Sequence, residues 1–302
     1  MARRNRYLKG AAPQRPHSTI ASLHSIINVM SSDKQLASHW NQVAANWQTS
    51  GYSNPILAAH KRSVYAQLMF ECCGVAAPAL ALKTDLFAEA FGEEEFLSAL
   101  TWSGGIVGID IFNAIVATAR ETCRTRAVYL KGYVTCDVRR LPFRNGCCDL
   151  VLSDSTLDHL PTRDEIVMAT AELARVLAPG GRLILTLDNP GQITYPPHWL
   201  VRLWMRLGFA PYYIGVTLSR RQLRAMFLEL GLRIERETAI LHYPHPDGLV
   251  RGMETLVRRL GRGHLDRLVE RAFHLSERLQ NSHLRYLTGR YLAVSGIKEA
   301  AE

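Results

Sequence analysis

The sequence predicts an α/β protein built on a doubly wound, mostly parallel sheet, with N-terminal helices before it and a helical insertion before its last two strands. Three observations carry that expectation. Short apolar runs alternate with helical segments between residues 78 and 190, the pattern of a parallel sheet covered on both faces. Polar residues close most of those runs, namely Asp85, Asp110, Asp137, Ser153 and Asp188, and Asp149 stands beside the fourth run. The amphipathic segments carry their own start and stop signals, so they fall between the strands.

Taken in order, residues 1–18 (MARRNRYLKGAAPQRPHS) hold basic residues and no acid, with little to bury. They read as a disordered basic tail, although an Arg-rich, acid-poor start is also how targeting peptides are written. Residues 19–75 read as two or three helices with Trp40, Trp47, Tyr52 and Tyr65 interspersed. They are assigned as an N-terminal helical lid; packing on a larger domain is the other use of such aromatics. The α/β domain spans 76–302. Ala79–Leu82 is its first strand, running into Lys83-Thr84-Asp85, and a helical segment follows around Phe87–Leu100. Ile106–Ile109, helix Ala114–Thr122 and strand Tyr133–Thr135 come next. Leu150–Leu152 is the fourth strand, after the turn residues Asn145-Gly146. Helix Arg163–Leu177 opens on a capping box, Thr162 with Glu165, and puts Ile166, Ala169, Leu173 and Val176 on one face. Pro179-Gly180-Gly181 stops it, and Leu183–Leu187 suits a central strand.

After Asn189 the prolines at 190, 196 and 197 make an irregular loop, and Trp199–Leu207 reads as a short helix. Residues from about 190 to 230 are therefore assigned as a cap over the ligand edge. A second capping box, Ser219 with Gln222, begins helix Arg220–Leu230, which Gly231 ends. Leu232–Leu241 is a strand. A long helix then places Leu265, Leu268, Val269, Ala272, Leu275 and Leu279 on one stripe, and Arg290–Ile297 is the seventh strand.

Composition narrows the function. The chain has 302 residues, 47% of them hydrophobic and 21% charged, ordinary values for a soluble globular protein. No apolar run approaches the roughly 18 residues that span a bilayer. The six cysteines include two adjacent pairs but no C-x-x-C, which suits a reducing, cytoplasmic setting. Net charge is +9. The basic residues of the last third interleave with Glu254, Asp266, Glu270 and Glu277, so a solvated face is expected there and no nucleic-acid partner. The same cations suit an acidic or membrane-associated acceptor. His242 and His245 lack a third ligand at useful spacing, and no metal is expected.

Ligands of open parallel sheets bind outside the carboxyl ends of the strands. Asp110, with Ile111 beside it, sits where a carboxylate can accept from two ribose hydroxyls; a strand-end aspartate can also simply cap the next helix. Asp137 can accept from an adenine amino group while the Val138 amide donates to the ring, or it can be an ordinary turn residue. His159, in STLDHLP, is the best-placed candidate general base, with Asp158 at hand to orient it. A histidine there can equally pack or cap. Tyr195, His198, Tyr213 and His242 lie in segments expected to cover the acceptor.

GIVGID, TCDVRRLPF, CDLVLSDSTLDHLP and ELARVLAPGGRLILTLDNP, in this order and spacing, resemble the S-adenosylmethionine-dependent class I methyltransferases. The similarity is to the small-molecule branch that carries a D-x-x-x-LPF run and a VLKPGG turn. It spans roughly Leu80 to Asn189 and, more weakly, the last two strands. It implies a Rossmann-like, seven-stranded sheet with a closing antiparallel pair, S-adenosylmethionine as cofactor, and methyl transfer to a small-molecule acceptor, most simply at oxygen. On that resemblance Asp110 is the ribose acid, Asp137 the adenine-side acid, Ser153 the residue beside the methionine end, and Asp85 the first-motif acid. The chain departs from the family between Lys83 and Gly92, where the D-x-G-x-G turn has no glycines and Leu86-Phe87 stand in its place. Glycines let a cofactor approach the backbone closely. Two readings follow: a turn reshaped around Gly92 and the helix start, or a degenerate scaffold put to a binding role.

Overall fold

The computed structural model describes residues 55–73, 78–91, 94–100, 105–197, 199–201, 203, 215–243 and 263–300. In chain order the elements are α1 (Pro55–Cys73), β1 (Leu80–Thr84), α2 (Phe87–Phe91), β2 (Gly105–Asp110), α3 (Asn113–Thr125), β3 (Gly132–Thr135) and β4 (Cys148–Asp154). They continue with α4 (Arg163–Val176), β5 (Leu177–Asp188), α5 (Arg220–Glu229), β6 (Leu232–Ile240), α6 (Gly263–Glu277), α7 (Arg285–Thr288) and β7 (Tyr291–Lys298). The strands form one sheet in the order β3-β2-β1-β4-β5-β7-β6, with β7 antiparallel to both neighbours. This is the doubly wound, mostly parallel architecture the sequence predicts. Among the described residues no helix is long and apolar enough to cross a membrane.

Strand alternation divides the core into two layers. Val151, Leu183 and Leu185 face α4 and α5, packing with Ile166, Leu173, Leu223 and Phe227. Leu150, Leu152 and Ile184 face the other way, toward Leu57, Leu68 and Met69 of α1 and Phe273 of α6. The described part of the 19–75 segment thus packs against the sheet, and the Tyr65 hydroxyl shares a 3.3 Å hydrogen bond with Thr186 of β5. The rest of that segment, the basic tail, Gly92, His198, Tyr213 and His245 lie outside the described residues.

Three elements differ from their expected form. The helical segment expected over Phe87–Leu100 is instead the short α2 and a 3-10 turn at Leu97–Ala99. Helix α4 ends at Val176, and β5 runs on through Pro179-Gly180-Gly181. Ala178 precedes a proline and is pushed out of the helical region. Leu177 already pairs with Cys148 before the register resumes at Leu150↔Arg182, with Gly180 at φ +76° inside the bulge. Helix α6 leaves part of its leucine stripe outside: Leu268 and Leu275 are 60% and 63% exposed. Phe273 is buried, its ring stacked on His60 of α1 at 4.7 Å, and Val269 packs partly beside it. A stripe drawn through aliphatic residues misses the aromatic that seats this face.

Strand β1 pairs with β2 on one side and β4 on the other, so the strand order reverses there and a crevice opens at the carboxyl ends. Leu86, just past β1, is fully buried. A Cβ on Gly108 of β2 would stand 2.4 Å from Leu86 Cδ2, so this glycine is the seat of that side chain. Gly108→Ala is expected to cost about 1–3 kcal/mol, the usual range for overpacking, as read by urea unfolding. A change below roughly 0.5 kcal/mol, the level of an inert surface substitution, would mean that Leu86 has another seat.

Candidate cofactor site

One cavity at the carboxyl edge brings together Asp85, Asp110, Ile111, Asp137, Val138 and His159. All six were expected at a ligand site from the sequence. Thr84, Phe87, Cys136, Arg139 and Thr156 also line it and were not anticipated. Arg139 had a signal in the run TCDVRRLPF; the two threonines had none until β1 and β4 were paired.

The turn after β1 is built without glycine. Asp85 takes φ +63°, a left-handed conformation that aspartate tolerates better than most residues. Its Oδ1 accepts from the Phe87 amide at 2.6 Å. Leu86 points down into its seat at Gly108, away from the cavity, while Phe87 lines the wall. The feared obstruction by two side chains is therefore one side chain.

Asp110 accepts from the Phe112 amide through Oδ1 (2.9 Å) and from the Leu86 amide through Oδ2 (3.1 Å). Each carboxylate oxygen keeps a further lone pair for a ligand hydroxyl. Burial, then the nearby Asp85, push Asp110 up to about 7 against the pull of those two amides. Asp137 behaves oppositely. Burial raises its pKa, but Arg139 outweighs that and holds it below the usual range. The Arg139 amide donates to Oδ1 at 2.8 Å and Nη2 to Oδ2 at 2.5 Å, and Nη1 reaches Glu165 Oε1 at 2.6 Å.

Beneath the turn lies a buried ion cluster. Lys83 is 1% exposed; its Nζ donates to the Asp85 carbonyl at 2.7 Å and to Glu89 Oε2 at 3.0 Å, and stands 3.2 Å from Asp154 Oδ1. Burial alone would lower the ammonium's pKa, but Asp154 and Glu89 hold it above the ordinary lysine value. Burial raises Glu89 to about 7 and Asp154 to about 6, despite the pull of Lys83.

Other expected site residues fall elsewhere. Ser153 is buried one layer behind the cavity, where it accepts from the Thr84 hydroxyl at 3.0 Å. Thr84 in turn meets Thr156 at 2.7 Å, and these two reach the cavity. Asp149 is at the amino end of β4, capping the Leu80 amide at 2.9 Å. His242 is 3% exposed, with Nδ1 on the Thr288 hydroxyl (2.8 Å) and Nε2 on the Ala239 carbonyl (3.1 Å). Both ring nitrogens are spent on packing β6 against α7. Tyr195 is half-buried and outside the cavity lining, its phenol pKa raised by burial and by Asp188. Asp158 does not orient His159: its Oδ2 accepts from the Ser155 hydroxyl (2.9 Å) and the Asp188 amide (3.0 Å), bracing β4 to β5. The turn that carries His159 is bracketed by the segment before α5, with Gly215 N on the Asp158 carbonyl and Val216 N on the Leu160 carbonyl, each at 3.0 Å.

Comparison with known proteins bears on the fold. Residues 90–185 match the family model described as a methyltransferase domain, beginning just after the turn that lacks glycines. The sheet order and the flanking helices are those of solved class I methyltransferase structures. The crystal structure of geranyl diphosphate C-methyltransferase from Streptomyces coelicolor A3(2), in complex with Mg2+, geranyl diphosphate and S-adenosyl-L-homocysteine, has the same fold. The TM-score is 0.53 at 16% identity over 78% of this chain and 79% of that one. An uncharacterised 37.1 kDa protein in transposon TN4556 of Streptomyces fradiae is 30% identical over 167 residues, 47% of each chain. Probable tRNA methyltransferase 9B of Mus musculus is 40% identical over 52 residues, 17% of this chain and 12% of its own. The chain spans about half or less of the length of these curated relatives.

Asp110, Glu89 and Asp154 share one consequence. Their pKa values rise on folding from 3.8, 4.5 and 3.8 to about 7, 7 and 6. Between those limits the folded chain holds protons that the unfolded chain has released, so the stability they add is fully present below the unfolded values and is lost as pH climbs from there through 6–7. The thermal midpoint of the ligand-free protein is expected to fall between pH 5.5 and pH 8. A midpoint that stays level or rises across this window would mean that the cluster is ionised throughout.

Proposed function

We propose that this protein transfers a methyl group from S-adenosylmethionine to a small-molecule acceptor, at oxygen, in a reducing cytoplasmic setting. The observation that carries the reading is the cavity itself. It sets a strand-end acid with spare acceptor capacity, Asp110, beside a second acid and a backbone amide, Asp137 and Val138, at the switch point of the sheet. Those groups fit a nucleoside. Asp110 would take the ribose hydroxyls; Ile111, Ile115 and Leu160 give the apolar walls a purine needs. Thr84, Thr156 and Asp85 would face the amino-acid end.

The cofactor supplies a methyl group already activated on a sulfonium. The protein's share is alignment of the acceptor with that methyl, which can supply several kcal/mol of the barrier. His159 is positioned at the cavity wall to take the acceptor's proton, the assistance a hydroxyl needs. Tyr195, His198 and Tyr213 remain the candidates for the acceptor side. His242, with both nitrogens bonded, does not. No nucleic acid is expected as a partner, and an acidic or membrane-associated small molecule suits the chain's net charge of +9.

Calorimetry with S-adenosylmethionine and S-adenosylhomocysteine tests the first step, with Kd in roughly the micromolar range common for enzyme ligands. No heat and no thermal shift at saturating ligand would leave the scaffold as a non-catalytic binding protein. Asp110→Ala should weaken binding by about 1–3 kcal/mol, the worth of hydrogen bonds to a charged group; unchanged affinity removes Asp110 from the site. His159→Ala should lower kcat by about 10²–10⁴, the range for a lost general base, with cofactor affinity intact. Normal turnover would return His159 to a packing role.

A further inference from the structure

We propose that Lys83 is the positioning residue of the cofactor turn, fixing with a buried ammonium the backbone that glycines would shape in a D-x-G-x-G turn. The inference rests on the S-adenosylmethionine reading for its function and on geometry for its mechanism. The carbonyl and amide of one peptide unit point to opposite sides of a rigid plane. The unit between Asp85 and Leu86 is held on both: its carbonyl by Lys83 Nζ at 2.7 Å, its amide by Asp110 Oδ2 at 3.1 Å. Lys83 and Asp110 therefore grip the same plane, and the place of the ribose acid is tied to the place of the ammonium. The left-handed Asp85 is the strained residue of this turn, and such a conformation persists only where its surroundings over-determine it.

The ammonium is itself pinned from two elements, by Glu89 on α2 and Asp154 at the end of β4. Glu89 is fully buried and Asp154 partly so, and among the described residues neither Glu89 Oε1 nor Asp154 Oδ1 has a hydrogen-bond partner, so Asp154 acts on the ammonium by charge at 3.2 Å. A cluster of this kind is a poor source of stability, because desolvation offsets its attraction, and a better source of a defined geometry. Lysines are almost never fully buried without a paired role. Here that role is the turn: α2 begins at Phe87, two residues after the gripped carbonyl.

The test must separate positioning from folding. Lys83→Met alone strands two buried carboxylates and is expected to lose stability for that reason. The combined variant Lys83→Met, Glu89→Gln, Asp154→Asn has no buried charge to strand. In the full chain without ligand, its Leu86 amide should exchange with solvent at least about tenfold faster, relative to Leu152 and Leu185, since one supporting hydrogen bond is gone. Its thermal midpoint should stay near that of the parent, and its affinity for S-adenosylhomocysteine should fall at least about tenfold. Unchanged Leu86 protection overturns the proposal. So does a combined variant that fails to fold, since the cluster would then serve stability, and so does a variant with a looser turn but parental affinity. If the parent itself binds no S-adenosylhomocysteine, the methyl-donor reading fails, and Leu86 exchange alone decides whether Lys83 holds the turn.

Discussion

The rest of the site hangs on the peptide plane between Asp85 and Leu86. Its carbonyl ties down to Lys83 and its amide ties up to Asp110. Around it, Leu86 is seated on Gly108, and Asp85 closes the start of α2 through the Phe87 amide. Lys83 and Gly108 are register partners on neighbouring strands, and partners in a parallel pair share a face. The missing side chain on β2 leaves room for Leu86 on the face that Lys83 occupies on β1. A side chain at Gly108 would take the space that Leu86 fills.

The cost of this arrangement explains its location. Desolvating an ion costs several kcal/mol even in a relaxed protein; Lys83 and Glu89 are taken out of water and Asp154 largely so. β1 is flanked by β2 and β4; Asp154 reaches in from the end of β4 while Glu89 comes down from α2.

Much of this was legible in the residues, for identifiable reasons. Both capping boxes form as read, with Glu165 returning to the Thr162 amide and Gln222 to that of Ser219. These are local signals and need no tertiary context. The strand-end acids Asp85, Asp110 and Asp137 were legible because a parallel sheet collects its carboxyl ends on one edge. Lys83 was not. In the string ALALKT it reads as the polar end of a strand, and its three partners lie 2, 6 and 71 positions away. Ser153 and His242 were misplaced for a related reason. Nearness to the edge does not fix which way a side chain faces: Ser153 points back to Thr84, and the chain turns at Leu241, φ +61°, carrying His242 into the packing.

The two acids of the cavity are prepared in opposite senses, and that difference assigns their work. Asp137 is already neutralised by Arg139, which is itself held by Glu165, the residue that caps α4. On the proposed reading the adenine end is tied to a helix start, and a ligand amino group there would share an acceptor with a guanidinium. Sharing gives selectivity of shape more than affinity. Asp110 has only two backbone amides and no cation directly bonded to it, and its neighbour Asp85 repels its charge. A ligand that brings hydroxyl donors and positive charge relieves both burdens at once. Such relief is free energy gained on binding and absent from the ligand-free protein, so the affinity of this site should concentrate at the end of β2, above the peptide that Lys83 holds.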